Sequence, residues 1–371
     1  MRDERLRIGV VGCGGFGLFA LQHFTQVPGV ELVGMAGTHR EAAFAAAKRF
    51  GIPEPTEVED LVARPDVDLV YIATPPFLHH EQAMAALTAG KHVICEKPLA
   101  MDLEQAEEML AAAEEHDVLV VANLMQRYNP VFEIVQRLVE SKVLGEVLHG
   151  YFENYANDEG LPAEHWFWDR AKSGGIFIEH GVHFFDMFAG WLGPGSVESA
   201  QVSIRPGTAI EDQVQCAARY CGDIMVNFYH GFTQTGRMDR QELRLLFERG
   251  DVTLYEWIPT SVRVHAVADE QGTRRLCELF PGARLDVSAN YGPKDRACRG
   301  RHKDLDVYQT IDLAYGLGDS KMHRYGELLR AVMADQMAWI SDHGHQRRIT
   351  EENGRASLAM AVEADRLAHA T

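Results

Sequence analysis

The sequence predicts an α/β protein with two domains: a parallel, doubly wound sheet followed by an α/β domain with an open, mainly antiparallel sheet. Three observations predict this. A glycine-rich turn lies directly between an apolar strand and a helix-like segment at residues 12–17. Strand-like and helix-like segments then alternate over about 120 residues, which is typical of parallel sheets. Beyond Asn129 the strand-like segments follow one another through short turns, which favours antiparallel pairing.

Each element of the first domain has a local signal. Short apolar runs predict strands at 6–11, 30–36, 67–73, 92–95 and 118–122. Helix-like segments fill the intervals at 18–26, 40–50, 79–89 and 102–116. Asp102 with Gln105 three residues later is a capping-box pattern, so we expect the last of these helices to begin there.

The second domain begins near residue 125, giving predicted domains 1–124 and 125–371, with the alternative that the C-terminal helices pack back on the first domain. Pro130 after Asn129 predicts a helix that runs to about Ser141. Alternating segments predict strands at 146–155, 197–204, 213–220, 224–230, 243–247 and 252–257. The charged stretch 290–304 is expected to be an exposed loop, and helices are expected at 319–340 and 351–370.

The composition excludes several classes of protein. The formal net charge of the 371 residues is −18, whereas a nucleic-acid-binding protein needs a basic face for phosphates. We find no apolar run of the roughly 18–20 residues that span a bilayer, and no pattern of a secretory signal. The six cysteines form no Cys-x-x-Cys pair, which favours free thiols in a reducing compartment. We therefore expect a cytoplasmic protein with no nucleic-acid or membrane partner.

The glycine turn predicts binding of a dinucleotide, which makes the first domain a Rossmann domain. Glycine permits the tight turn and lets the backbone approach a pyrophosphate, while the following helix N-terminus offers N–H donors. The predicted contacts are Gly12, Gly14, Gly15, Phe16 and Gly17.

The end of the second strand bears on which dinucleotide is bound. An acidic residue there would favour NAD, but the sequence reads Gly37-Thr38-His39-Arg40. Thr38, His39 and Arg40 can all donate to a 2′-phosphate, so the cofactor is predicted to be NAD(P), with NADP favoured. The alternative is that Arg40 is simply a solvated residue of the next helix.

Glu96 and Lys97 follow the strand predicted at 92–95. They therefore lie at the carboxyl edge of the sheet, where open α/β sheets bind ligands. A lysine there can polarise a substrate hydroxyl or hold an alkoxide charge, and Glu96 would orient its ammonium group. A surface ion pair is the alternative interpretation.

Several motifs together resemble the family of glucose–fructose oxidoreductase, inositol dehydrogenase and the rhizopine-catabolism dehydrogenases (Gfo/Idh/MocA). Besides the glycine turn, they are Thr74-Pro75-Pro76-Phe77-Leu78-His79, Cys95-Glu96-Lys97-Pro98-Leu99-Ala100, Arg127-Tyr128-Asn129 and the segment Ser173 to Asp186. The resemblance covers most of residues 6–190 in the family's order. Pro76 stands where Asn is usual, and Glu179 stands where the family has Asp.

The resemblance implies a tightly held nicotinamide cofactor and a sugar, polyol or related substrate bound between the domains. It extends the predicted cofactor contacts to Thr74, Pro75, His79, Glu96 and Lys97. It also implies a homodimer or homotetramer formed through the second domain's sheet, whose strand at 224–228 is in places apolar on both sides.

The resemblance further implies that Lys97 and His183 act on the reacting carbinol. A histidine near its ordinary pKa of about 6.5 can accept the proton that leaves during oxidation. Glu179 is the third predicted catalytic residue, either bonding a sugar hydroxyl or holding His183 in one tautomer. Its additional methylene places the family's usual geometry, and its usual substrate, in question.

The predicted substrate contacts are Arg127, Tyr128, His165, Trp168, Glu179, His180 and His183. Arg127 and Tyr128 carry groups that bond hydroxyls, with structural packing as the alternative. The aromatic faces of 166–168 suit a sugar ring or nicotinamide, with a core wedge as the alternative. His180 with Glu179, His183 and a further histidine (His165 or His230) has the donor types of a metal site. We favour the interpretation without metal.

The leading hypothesis is an NAD(P)-dependent oxidoreductase acting on a carbohydrate-like secondary alcohol or ketone. One alternative uses the cofactor transiently, through oxidation, elimination or hydrolysis, and reduction. Another is a non-catalytic cofactor sensor, which would have no need for Lys97 together with His183.

Overall fold

The computed structural model describes residues 5–37, 40–52 and 54–370. The chain divides into two compact units. The first contains the chain as far as Met125 together with Ala163–Asp186 and Gly326–Arg366. The second contains Gln126–Pro162, Met187–Tyr325 and the residues from Leu367 onward. The segment that carries Glu179 and His183 therefore belongs to the same unit as Lys97.

A five-stranded parallel sheet forms the centre of the first unit. Its strands are β1 (Leu6–Val11), β2 (Val30–Ala36), β3 (Leu69–Ile72), β4 (His92–Cys95) and β5 (Val120–Ala122). Their order is β2-β1-β3-β4-β5, and every pairing is parallel. The order reverses between β1 and β3, which makes the carboxyl ends of these two strands the topological switch point where such sheets bind ligands. The predicted doubly wound sheet is confirmed.

Two of the helices described begin at the capping residues that the sequence predicts, Asp102 and Asn129. The helices are α1 (Gly15–Phe24), α2 (Arg40–Phe50), α3 (Val58–Val62), α4 (His79–Thr88), α5 (Leu103–Glu115), α6 (Pro130–Ser141), α7 (Arg170–Ser173), α8 (Val182–Leu192), α9 (Glu270–Leu279), α10 (Lys321–Ser341) and α11 (Glu351–Ala368). The Asp102 carboxylate accepts a hydrogen bond from the Gln105 backbone N–H at 2.9 Å. The Asn129 side chain caps α6 in the same way through Val131. Both predicted helix starts are confirmed.

A nine-stranded sheet forms the second unit. Its strands are β6 (Val147–Asn157), β7 (Gly195–Ile204), β8 (Glu211–Tyr220), β9 (Ile224–Gln234), β10 (Arg240–Phe247), β11 (Gly250–Tyr255), β12 (Ser261–Ala268), β13 (Arg284–Asn290) and β16 (Gln309–Gly316). The order is β13-β16-β12-β11-β10-β6-β9-β8-β7. In this described sheet β6 and β9 run parallel and the other neighbours run antiparallel. The predicted open, mainly antiparallel sheet is confirmed.

The prediction of a loop at 290–304 is wrong. A separate two-stranded ribbon, β14 (Ala297–Gly300) and β15 (Lys303–Asp306), occupies much of this stretch, and nearly all of its residues are exposed. A ribbon that buries no face needs no apolar alternation, so hydrophobic periodicity gave no signal for it. The sequence also left β12, β13, β16 and α9 unassigned.

Strand β9 alternates between a buried and an exposed face. Val226 and Phe228 are fully buried, whereas Met225 is 51% exposed and Asn227 is exposed. The expectation that 224–228 is apolar on both sides is therefore wrong at Asn227.

Two further findings concern the chain as a whole. Within the residues described, no helix is long and apolar enough to cross a membrane. The six cysteines are free thiols, and Cys13, Cys95 and Cys216 are buried.

Candidate functional site

The glycine turn after β1 is shaped by close backbone contacts. Gly12 has a φ of +106°, and a Cβ there would lie 2.5 Å from the Ala73 carbonyl oxygen. A Cβ on Gly17 would lie 2.4 Å from the Gly12 carbonyl oxygen. The turn can therefore close only with glycine at these two positions.

The outer side of the same turn is open. A Cβ on Gly14 or Gly15 would meet no atom within 4 Å, and both glycines are exposed. Helix α1 begins at Gly15, and no side chain caps it. Its first N–H groups therefore offer an anion site, which fits the pyrophosphate of a dinucleotide. Phe16 is half-buried beside it, with its ring centroid 6.2 Å from that of Phe19.

The residues predicted to select the dinucleotide are not among those described. Thr38 and His39 lie outside the described residues, as does the side chain of Arg40. Strand β2 ends at Ala36, two residues before Thr38. The NADP preference stays a prediction, because the side chains on which it depends are not described.

The turn after β3 is held by two side chains of α4. The Thr74 hydroxyl donates to Gln82 Oε1 at 2.6 Å. His79 is fully buried, with Nε2 2.8 Å from the Thr74 carbonyl oxygen and Nδ1 2.7 Å from the Pro98 carbonyl oxygen. Both ring nitrogens of His79 therefore face protein carbonyls, and its predicted cofactor contact remains untested, as does that of Pro75.

Glu96 has partners that the sequence analysis missed. Its Oε1 accepts from the Tyr71 hydroxyl at 2.5 Å and from Asn123 Nδ2 at 2.7 Å. Burial raises the pKa of Glu96, while the two donors and the nearby Lys97 ammonium oppose that rise. The signals available were a tyrosine hydroxyl inside a buried strand and a polar Asn123 at a strand end, since buried polar groups require partners.

The Lys97 ammonium contacts Glu179 rather than Glu96. Nζ donates to Glu179 Oε1 and also, at 2.9 Å, to the Glu179 backbone oxygen. The lysine and glutamate side chains are only 18% and 11% exposed. The expectation that Glu96 orients Lys97 is wrong, because the Glu96 carboxylate instead bonds the buried Tyr71 and Asn123 side chains.

Glu179 lies in a π-helical turn, Phe177–Gly181, immediately before α8. Such turns are rare and often occur at functional sites. Here the turn presents a backbone oxygen and a carboxylate oxygen of one residue to the same ammonium group.

His183 lies four residues later, at the start of α8, and is 7% exposed. Burial, and then the positive charge of Lys97, lower the pKa of His183 to about 3. The expectation of an ordinary pKa is therefore wrong, and the imidazole is neutral at physiological pH. Its Nδ1 is buried and has no hydrogen-bond partner among the described residues, which leaves it available to a ligand.

The remaining predicted substrate residues lie in both units. In the first, His165 Nδ1 accepts from the Phe167 backbone N–H at 3.2 Å, and the Trp168 ring lies 4.8 Å from that of Phe167. His180 is half-buried, with its ring 5.2 Å from that of Phe184.

The other two predicted substrate residues belong to the second unit. Tyr128 is buried, and the Arg127 guanidinium lies 5.9 Å from the centre of the Phe132 ring. Contact of these side chains with substrate stays a prediction.

A metal centre finds no support in the geometry. Within residues 5–37, 40–52 and 54–370, no group of three or more His, Cys, Asp or Glu side chains is placed to hold a metal ion.

Asp186 accepts from Asn353 Nδ2 at 3.4 Å and is 2% exposed.

Two family models match the chain in the order that the fold requires. The oxidoreductase family with an NAD-binding Rossmann fold matches residues 6–124, and the GFO/IDH/MocA C-terminal domain matches residues 132–253. Together they cover more than half of the chain, which therefore belongs to the Gfo/Idh/MocA oxidoreductase family, as the motifs indicated.

Individual relatives include enzymes of sugars and polyols. The chain is 34% identical to 1,5-anhydro-D-fructose reductase from Ensifer adhaerens over 220 residues, covering 56% of this chain and 64% of that protein. It is 28% identical to scyllo-inositol 2-dehydrogenase (NAD(+)) from Bacillus subtilis, covering 52% and 55%. The chain thus matches little more than half the length of these curated relatives.

Solved structures share the whole architecture. The WlbA dehydrogenase from Bordetella pertussis, solved with NADH and UDP-GlcNAcA, is similar with a TM-score of 0.78. The similarity covers 99% of this chain and 96% of that chain at 20% identity, which establishes a common fold.

Proposed function

We propose that the protein is an NAD(P)-dependent oxidoreductase that transfers a hydride between nicotinamide and a secondary alcohol or ketone of a sugar, polyol or glycoside. The observation that carries the proposal is the cluster of Lys97, Glu179 and His183 in the unit that holds the glycine turn. Membership of the family and the activities of the relatives named above support the substrate class.

The glycine turn fits the diphosphate of the cofactor. The exposed backbone of Gly14 and Gly15, with the uncapped start of α1, would bind the diphosphate oxygens. When bound, the nicotinamide supplies the hydride acceptor or donor. A Cβ at Gly12 would collide with the Ala73 carbonyl oxygen, so this position has no room for a side chain.

Lys97 and Glu179 would handle the proton. During oxidation Nζ first gives one proton to Glu179 Oε1, to which it is already bonded, and the resulting neutral amine accepts the hydroxyl proton of the substrate. The ammonium restored in this way stabilises the alkoxide oxygen. Reduction of a ketone uses the same transfers in reverse.

His183 would orient the substrate rather than keep the proton. With a pKa lowered to about 3, the imidazole stays neutral at physiological pH. Its unpartnered Nδ1 can bond the substrate hydroxyl and fix its position beside Lys97.

NADP is the proposed cofactor form. The support is the lack of an acidic residue in Gly37-Thr38-His39-Arg40, where NAD-specific Rossmann domains place one. Affinities for NADPH and NADH, measured by fluorescence titration, test this directly.

We propose a homo-oligomer formed through the outer face of the nine-stranded sheet. Met225 and Leu246 are 51% and 42% exposed and flank His149 in register on that face. Light scattering after gel filtration gives the oligomer mass, and a monomer would contradict the proposal.

The free thiols support a cytoplasmic location.

The decisive experiment compares Lys97→Met with Lys172→Met across a panel of polyols, aldoses and glycosides, read by nicotinamide absorbance. Lys172 lies in the same unit, and its exposed ammonium pairs with Asp169. We expect Lys97→Met to lower kcat by about 10²–10³-fold with little change in cofactor affinity, and the control to match the wild type. Near-normal turnover in Lys97→Met would contradict the mechanism. Product formation without a net absorbance change would instead favour transient use of the cofactor.

A further inference from the structure

We propose that His79 is a positioning residue that joins the turn after β3 to the segment carrying Lys97, and thereby keeps the ammonium group on Glu179. The inference rests on the role proposed above for Lys97, and it assigns a function to a buried residue whose two ring nitrogens both face protein carbonyls.

The geometry places one ring between two segments that are distant in sequence. Nε2 lies 2.8 Å from the carbonyl oxygen of Thr74, five residues before His79. Nδ1 lies 2.7 Å from the carbonyl oxygen of Pro98, 19 residues after it and next to Lys97. The ring is fully buried, so solvent cannot replace either contact.

The hydrogen inventory of the ring strengthens this interpretation. A carbonyl oxygen only accepts, so a neutral imidazole, with one N–H, bonds one of the two carbonyls and a protonated ring bonds both. Burial, the largest influence, and the Lys97 charge lower the pKa of His79, whereas both carbonyls and the Glu179 charge raise it. A hydrophobic residue of similar size would donate to neither carbonyl, whereas the histidine donates to at least one of them, which explains a histidine at a position with no solvent access.

The contacts continue from the cofactor turn to the catalytic ammonium. Gly12 packs against Ala73 and Thr74, whose backbone atoms a Cβ there would meet at 2.5 and 3.0 Å. Thr74 contacts His79, and His79 contacts Pro98 beside Lys97. A displaced ring therefore allows the Lys97 segment to move relative to the glycine turn.

Gln82 provides the matched control. It anchors the same turn through the Thr74 hydroxyl at 2.6 Å and is also buried. Gln82→Met removes that bond while both contacts of His79 remain. The Gln82 variant therefore loosens only the turn, whereas the His79 variants also remove the link to Lys97.

The test uses His183 as a reporter in the full chain without cofactor or substrate. The Lys97 charge lowers the pKa of His183, so displacement of the ammonium raises it. Ring titrations of His183 by NMR are compared in the wild type, Lys97→Met, His79→Leu, His79→Gln and Gln82→Met, with thermal unfolding as the check on folding. Lys97→Met gives the full upward shift.

We expect His79→Leu to give a substantial part of that shift in the pKa of His183. His79→Gln should give a smaller part, because its amide nitrogen can donate to one carbonyl but cannot occupy both ring positions. Gln82→Met should give no shift. In turnover assays His79→Leu should lose about 10²-fold in kcat, as for a misplacement of roughly 1 Å. If His79→Leu does not fold, His79→Gln alone decides. A wild-type His183 titration in the folded His79 variants would overturn the proposal. Because this readout needs no turnover, an inactive wild-type protein would refute the proposed function without deciding the role of His79.

Discussion

Tyr71→Phe removes one hydroxyl from the fully buried interior of the first unit. That hydroxyl donates to Glu96 Oε1 at 2.5 Å, and the same oxygen also accepts from Asn123 Nδ2 at 2.7 Å. The ring itself packs edge-on against Phe24 at 4.7 Å and stays in place in the variant. The substitution therefore isolates one buried hydrogen bond to an ionisable group.

The size of the effect depends on the charge of Glu96. A hydrogen bond to an ionised group contributes about 1.5–3 kcal/mol, and one to a neutral group about 0.5–1.5 kcal/mol. The folded-state pKa of Glu96 is raised, so the folded protein holds this proton more tightly than the unfolded chain does. The contribution of Glu96 to stability is complete below its ordinary pKa of 4.5 and falls as the pH rises through the folded value.

Loss of the Tyr71 donor raises the pKa of Glu96 further, because that hydrogen bond lowers it. We therefore expect Tyr71→Phe to destabilise more at pH 8 than at pH 4.5. The larger loss corresponds to a decrease in Tm of about 3–12 °C for a unit of this size.

Urea unfolding at several pH values between 4.5 and 8 measures the loss in free energy of unfolding, and thermal unfolding at pH 8 measures the decrease in Tm. Tyr315→Phe is the control in both experiments. Tyr315 packs against Phe280 at 5.8 Å, so its variant tests the general effect of removing a tyrosine hydroxyl. Equal losses at both ends of the pH range, or a loss no greater than in the control, would refute the assigned role of the Tyr71–Glu96 bond.

Three further substitutions test the cofactor and proton-transfer sites. Gly12→Ala should weaken cofactor binding and cost about 1–3 kcal/mol in backbone strain alone, because alanine rarely adopts the φ of +106° found at Gly12. Its Cβ would also meet the Ala73 carbonyl oxygen at 2.5 Å. Unchanged fluorescence titrations and unfolding curves would contradict this. Glu179→Asp should lower kcat by about 10–10²-fold with the cofactor affinity retained, because the shorter side chain withdraws from Lys97 while the backbone contact at 2.9 Å persists; full activity would show that the backbone oxygen suffices. Arg40→Ser should reduce affinity for NADPH more than for NADH, and equal effects on the two would exclude Arg40 as a 2′-phosphate ligand.

Local signals predicted the elements whose cause is local. The capping residues Asp102 and Asn129 bond backbone N–H groups two or three residues away, so their helix starts can be inferred from neighbouring sequence. The glycine turn was equally accessible, since its shape follows from the backbone freedom of Gly12. The ribbon at 297–306 was missed because its exposed residues carry no periodic apolar pattern.

The sequence by itself determined the alternation of strands and helices, the dinucleotide turn and the residue types of the candidate site. Only the tertiary structure decided that Lys97 pairs with Glu179, 82 residues away, that Glu96 instead bonds Tyr71 and Asn123, and that His183 is neutral. The physical reason is that turns and caps depend on bonds between near neighbours. The partner of a charged group and its pKa depend instead on burial and on charges that the fold brings together.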